Sequence, residues 1–360
     1  MTIKGNKGEW SEIYTLFRLL GEGRLFAGDA DMNRLPLFYP ILSIIRNEIE
    51  ELRYNPNRDG CVNVIKSDGA SIASVRMSEF CEQADALFAT IKAVKASSFE
   101  APEAEAFMGK VFCSKLKAPS CDKSDIQIVI HDLRTGMMPL LGFSVKSQLG
   151  AKSTLLNAST ATNMTYRIVG CALTDEDVSA INSVYNHWPR MEAIRSHGGH
   201  LEFMSYDNLA FKNNLLFVDY CLPRLVADCV EAAHFIGVGD TVKDVVAFAA
   251  SSNKFGYVGA NVGAFYEYKM KNLLVASALG MTPSKPWEGK YDATGGYIVV
   301  KSDGDIVCYH FYNKNELEDY LFANTKFERG DRGKHRFGAL YRDSDGNVCI
   351  KLNLQIRFNN

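Results

Sequence analysis

The residues best suited to chemistry lie in SDIQIVIHDLRTGMMPLLGFSVKSQLG, positions 124–150. Ser144, Lys146 and Gln148 occupy alternate positions of an apolar run, and alternate residues of a strand share one face. Asp132 closes the preceding apolar run, IQIVIHD. If the two runs pair as antiparallel strands, Asp132 and the polar row lie side by side. An aspartate beside a lysine suits metal-assisted hydrolysis. The carboxylate holds Mg²⁺, and the lysine stabilises developing negative charge or orients the nucleophile. A solvated strand face is the plainer alternative for the polar row.

One carboxylate is a thin ligand set for Mg²⁺, so a second acid is expected nearby. Lys7 to Leu20 has the spacing of an amphipathic helix, with Trp10, Ile13, Tyr14, Phe17 and Leu20 on one side. At about 100° per residue, Glu9 and Glu12 fall within or beside that apolar arc. A carboxylate facing a core is costly unless it is paired or metal-bound, so one of the two is a candidate ligand. Structural readings compete for each residue. Asp132 could simply start the LRTG turn, Lys146 could snorkel from an edge strand, and Glu9 and Glu12 could be first-turn acids favoured by the helix dipole.

Elements must position these residues. Short strands follow the first helix to about Ser74. Helices are expected over Arg76–Val94 and Ala101–Val111. Two strands follow over 124–150, joined through Gly136 and Pro139. A polar loop then leads to a strand near Tyr166–Val169. Residues 175–279 read as mostly helical, and strands return from Val300. KSDGD (301–305), DSDGN (343–347) and an early SDG (67–69) read as hairpin turns. No low-complexity linker cuts the chain; a boundary near residue 170 divides it into 1–170 and 171–360.

The totals exclude several classes. The chain has 360 residues, 47% hydrophobic and 23% charged, enough for one large domain or two ordinary ones. With a net charge of −2, any nucleic-acid binding needs a local basic patch. Nine scattered cysteines without a CxxC pair suggest reduced thiols in a cytoplasm, not a disulfide framework or zinc ribbon. The segment 214–238 is interrupted by Asp219, Arg224, Asp228 and Glu231, so it reads as core helices and not as a membrane span. His197 and His200 have HxxH spacing, but the glycines between them favour a turn.

NKGEWSEIY near the start, SDIQIVIHDLRTG, and LLGFSVKSQLGAKSTLLNASTATN together resemble the HpaII family of type II restriction endonucleases. The length and element order fit across the chain. The resemblance implies an α/β (α+β) fold built on a PD-(D/E)xK nuclease core: a mixed central sheet flanked by helices, with additional helical and β-hairpin segments. The core would occupy 1–170, with the catalytic hairpin at 124–150, followed by a helical region and a β-rich DNA-contacting region. The resemblance also implies Mg²⁺-dependent cleavage of double-stranded DNA at CCGG, after the first cytosine, leaving a two-base 5′ overhang.

Carried over residue by residue, Asp132 takes the motif's aspartate, Lys146 its lysine, and Ser144 the place of the second acid. Some CCGG-cutting nucleases with that serine take an acid from a downstream helix. Here no Asp or Glu occurs between Asp132 and Asp175. Gly8-x-x-x-Glu12 looks like the helix motif of this fold, so Glu12 is preferred to Glu9 as the partner of Asp132 on the metal. Gln148 would bind the water or a phosphate oxygen.

For DNA contacts, the loop after the catalytic strand offers Lys152, Ser153, Asn157, Thr160 and Asn163. KFERGDRGKHRFGALYR (326–342) offers Arg329, Arg332, Lys334 and Arg336, suited to phosphates. A palindromic site invites a homodimer. A cognate DNA methyltransferase would share the site without needing to bind the enzyme, and no membrane is expected. The setting implied is a prokaryotic cytoplasm. The rival expectations are a structure-specific repair or resolving nuclease of the same fold, and a non-catalytic DNA-binding protein.

Overall fold

The computed structural model describes residues 2–117, 124–290 and 295–359. The chain forms two discontinuous units. The first comprises residues 1–153 and 292–320, and the second residues 154–291 and 321–359. The single boundary expected near residue 170 is therefore replaced by three crossings. The cause is a strand pair from late in the sequence, which completes the sheet of the first unit.

In that unit the first helix spans Lys7–Glu22. Asn6 and Glu9 form a capping box, each side chain taking the other's backbone N–H, and Gly23 ends the helix at φ +64°. Its apolar stripe, Trp10, Ile13, Tyr14, Phe17 and Leu20, is wholly buried. Two further helices, Met77–Ala93 and Pro102–Lys110, close on it. Phe17, Phe80 and Phe107 meet edge to face at 5.0–6.1 Å, contacts that add about 0.5–1.5 kcal/mol each beyond burial.

These helices share one core with a nine-stranded mixed sheet. Its order is Arg24–Gly28, Ile306–His310, Gly296–Val300, Leu140–Ser147, Ile126–Ile130, Arg34–Asn47, Glu51–Pro56, Cys61–Lys66 and Ser71–Arg76. Most pairs are antiparallel; Gly296–Val300 runs parallel to Leu140–Ser147. The expected SDG turns all form hairpins, with Gly69, Gly304 and Gly346 at φ +86°, +91° and +81°. That left-handed backbone suits glycine.

The second unit carries two antiparallel sheets. One is ordered His200–Tyr206, Asn163–Val169, Val348–Asn353, Leu340–Arg342, and the other Thr154–Leu156, Gln355–Phe358, Thr325–Glu328. Its longer helices are His187–Ser196, Leu209–Val218, Leu222–Glu231, Val242–Ser252 and Val262–Ala278. The His200–Tyr206 strand interrupts the stretch expected to be helical, and His197–Gly199 make the turn before it. Among the described residues no helix is long and apolar enough to cross a membrane, and eight cysteines are free thiols. Cys121 lies outside the described residues.

Candidate active site

The hairpin over residues 124–150 has a fixed register. Ile126 faces Phe143, Ile128 faces Leu141, and Val129 faces Leu140. Carried to the closed end, this register sets Asp132 opposite Met137, whose carbonyl accepts the Asp132 N–H at 2.9 Å. Carried to the open end, it sets Asp125 opposite Ser144. The expected pairing of Asp132 with Lys146 is therefore corrected. In an antiparallel hairpin, residues next to the turn meet only residues next to the turn, and seven residues of extended chain separate Asp132 from Asp125 by roughly 20 Å.

Asp132 is instead the turn starter that its position before LRTG allowed. It is buried, and its carboxylate accepts the Arg134 N–H at 2.9 Å and the Thr135 hydroxyl at 3.0 Å. Burial pushes its carboxyl up, but these hydrogen bonds outweigh that and hold it below the usual carboxylate range.

Asp125 takes the place beside the polar row. Its N–H donates to the Phe143 carbonyl at 2.9 Å. Its Oδ2 accepts the Val145 N–H at 2.7 Å and the Ser144 hydroxyl at 3.0 Å. Ser144 Oγ in turn accepts from Lys146 Nζ at 3.1 Å. Ser144 thus bridges the carboxylate and the ammonium. The Lys146 ammonium also lies over the Tyr297 ring, 5.0 Å from its centroid, a cation–π contact from the parallel neighbouring strand. Burial lowers the affinity of Lys146 for its proton, and the negative charges of Asp125 and Glu12 partly restore it.

Glu12 comes to the same cluster from the first helix. The Ser11 hydroxyl, 2.8 Å from the Ser147 hydroxyl, ties that helix to the Leu140–Ser147 strand. Burial and then the Asp125 charge push the Glu12 carboxyl up to about 8, against the pull of Lys117 and Arg46. Glu12 Oε2 is buried and has no hydrogen-bond partner among the described residues. Glu9 is occupied otherwise: it completes the capping box and pairs with Lys117 at 2.8 Å.

Two repelling carboxylates, one with an orphaned buried oxygen, fit a hard divalent cation. Among the described residues no group of three or more His, Cys, Asp or Glu side chains could hold a metal. A pair of carboxylates leaves the remaining positions of a divalent cation to water and substrate oxygens.

Gln148 does not join the cluster. Its Oε1 accepts the Ser302 N–H at 2.9 Å and its Nε2 faces Met32 Sδ at 3.3 Å, so it braces the 301–305 turn. An opening of about 660 Å³ beside the site is lined by Glu12, Lys7, Lys95, Ser147 and Ser153, among others. Lys152 is exposed.

In the second unit, Asn157, Arg329, Arg332 and Lys334 line another opening. Asn157, Thr160, Arg329, Lys334 and Arg336 are exposed. Asn163 is not available for DNA. It is buried, donates to the His335 carbonyl at 3.0 Å and accepts from Asn353 at 2.7 Å. Arg332 is tied to the main-chain carbonyls of Asn182 and Val184.

Sequence reasoning missed Asp125 and Tyr297. Extending the hairpin register outward from Gly136 would have found Asp125. No local signal points to Tyr297, which reaches the site through pairing of strands far apart in sequence.

The family model for the HpaII restriction endonuclease matches residues 6–358. The chain is 42% identical over 357 residues to the Type II restriction enzyme HpaII of Haemophilus parainfluenzae, covering 99% of each. No solved structure matches the chain.

Proposed function

The chain belongs to the HpaII restriction endonuclease family, whose members are type II site-specific deoxyribonucleases, and we propose that Asp125, Glu12, Ser144 and Lys146 hydrolyse the phosphodiester bonds of its double-stranded DNA. The observation that carries this is the hydrogen-bonded row Asp125–Ser144–Lys146 at the open end of the hairpin, with Glu12 within electrostatic reach. The row has the form Asp…Ser-x-Lys, which supports a PD-(D/E)xK core with serine in the second acid's place.

A Mg²⁺ held by Asp125 and Glu12 would offset their repulsion and supply Lewis-acid polarisation of the scissile phosphate. Ser144 holds Asp125 and Lys146 in fixed relation, so neither reorganises when substrate arrives. The Lys146 ammonium, poorly solvated and aimed by the Tyr297 ring, stabilises the negative charge that develops on the phosphate oxygens, where a low local dielectric strengthens it.

The finer reading follows the family resemblance. The substrate is CCGG, cut after the first cytosine to leave a two-base 5′ overhang. A homodimer matches the palindrome, and a methyltransferase shares the site. The test is digestion of a plasmid with Mg²⁺, followed by sequencing of the ends. Discrete fragments ending within CCGG support the reading; structure-dependent nicking without common ends defeats it. Lys146→Ala should cut at least about a hundredfold more slowly yet still retard a CCGG duplex in Ca²⁺. Full cutting by that variant would remove Lys146 from the site.

A further inference from the structure

The second unit contains an opening of about 650 Å³ whose charge is poorly balanced. Five basic side chains line it against two acids, Glu328 and Asp331. Both acids are engaged: Glu328 pairs with Arg357 at 2.5 Å, and Asp331 caps the short helix Arg332–His335 by accepting the Lys334 N–H at 2.7 Å.

Arg190 forms the floor. It rises from the helix His187–Ser196 and is only 2% exposed. Its Nη1 donates to the Gly338 carbonyl at 2.5 Å, while its buried Nε has no acceptor among the described residues. No carboxylate pairs with it among the described residues. Burial, and then the neighbouring Arg332 charge, lower its hold on the proton. Arg332 cannot relieve this by moving away, because the Asn182 and Val184 carbonyls hold its guanidinium. His187 beside it adds no charge. Its Nε2 donates to the His234 carbonyl at 2.6 Å; burial, opposed by that hydrogen bond and reinforced by the surrounding arginines, keeps the ring neutral down to about 4. Gly338 sits at φ +68°, and a Cβ there would come within 3.1 Å of Arg190 Nη2, so glycine keeps the guanidinium's space open.

A buried guanidinium without a counter-ion is costly, and an arriving anion removes that cost. We propose that this opening seats a backbone phosphate of duplex DNA against Arg190 and Arg332, with Arg329 and Lys334 closing on it from the exposed rim. The proposal rests on the reading of the chain as a DNA-cutting enzyme and specifies one anchor of its substrate. A phosphate fits better than a base edge. Guanidinium groups bind phosphate oxygens bidentately, whereas a neutral base edge leaves the buried charge uncompensated. Such a contact fixes the position of the duplex and carries no sequence information.

The test is binding of the full chain in Ca²⁺ to a labelled CCGG duplex and to a duplex lacking CCGG, across a range of salt. Arg190→Gln and Lys334→Ala should each weaken both complexes by a similar factor, about tenfold or more for Arg190→Gln. Each should also lower the slope of log affinity against log salt by about 1. Unchanged affinity and slope in both variants, or loss confined to the CCGG duplex, would overturn the phosphate seat. Lys334→Ala, at an exposed position, decides the matter if Arg190→Gln does not fold. Cleavage is not needed for this readout. A chain that binds in this Arg190-dependent way but cuts no plasmid overturns the catalytic reading alone. A chain that cuts at CCGG but binds indifferently to both substitutions overturns the seat alone.

Discussion

At the scale of single residues, Asp125 and Asp132 have opposite fates. Asp132 is saturated by its own turn, while Asp125 shares a half-buried space with an ammonium and a second carboxylate. The alternation that sets Ser144 and Lys146 on one face is legible in the sequence. The helical arc admits Glu9 and Glu12 alike, and the preference for Glu12 comes from the family resemblance; in the structure the capping box and Lys117 occupy Glu9. The aspartate was misread because a strand-end acid next to a turn looks the same whether it ligates or caps. Gln148 shares the alternation of Ser144 and Lys146 but lies one residue beyond the strand, where its amide serves a neighbouring hairpin.

Glu12 gives a pH prediction. Its folded carboxyl is raised to about 8 by burial and by Asp125, above the ordinary value of 4.5. The folded chain therefore binds this proton more tightly than the unfolded chain. Without a cation, Glu12 destabilises the fold progressively as pH rises between those values. The melting temperature of the metal-free protein should fall over that window, and fall several degrees less in Glu12→Gln. Ca²⁺ affinity, measured by calorimetry, should rise by up to about tenfold per pH unit until about pH 8. Affinity independent of pH would remove Glu12 from the cation site.

At the scale of elements, the hairpin's function depends on the space it leaves at its open end. Gly142 faces the lead-in to Asp125, and a Cβ there would lie 2.7 Å from the Ser124 side chain. Gly142→Val should displace Asp125 and slow cutting about a hundredfold, since a misplacement of about 1 Å costs that much. Its effect on the melting temperature should be smaller than that of a core deletion, and cleavage kinetics beside a thermal melt would separate the two. The three SDG turns were readable because their glycines meet a backbone demand that is local. The Gly296–Val300 strand was not placed beside the catalytic strand, because pairing between segments some 150 residues apart leaves no periodic mark on either. Tyr297, which aims Lys146, was hidden for the same reason.

At the scale of the whole molecule, the charge of −2 is no obstacle to a DNA enzyme, because a local excess is enough: five Lys and Arg side chains line one opening of the second unit against two acids. The first unit is built from residues 292–320 as well as 1–153. A fragment ending at residue 170 should neither cut DNA nor unfold cooperatively, because it lacks the strands beside Leu140–Ser147 and leaves that strand's edge unpaired. A soluble, cooperatively melting fragment seen by calorimetry would contradict the two-unit division. If a homodimer forms on the palindrome, sedimentation of the CCGG complex should show two chains per duplex. The hairpin register supports Asp125, not Asp132, as the catalytic aspartate. The direct measurement is plasmid cleavage in Mg²⁺ by Asp125→Asn and Asp132→Asn, beside retardation of a CCGG duplex in Ca²⁺. Asp125→Asn should bind but cut at least about a thousandfold more slowly, while Asp132→Asn should cut within a few-fold of the unaltered chain. Full cutting by Asp125→Asn, with loss in Asp132→Asn, would contradict the account.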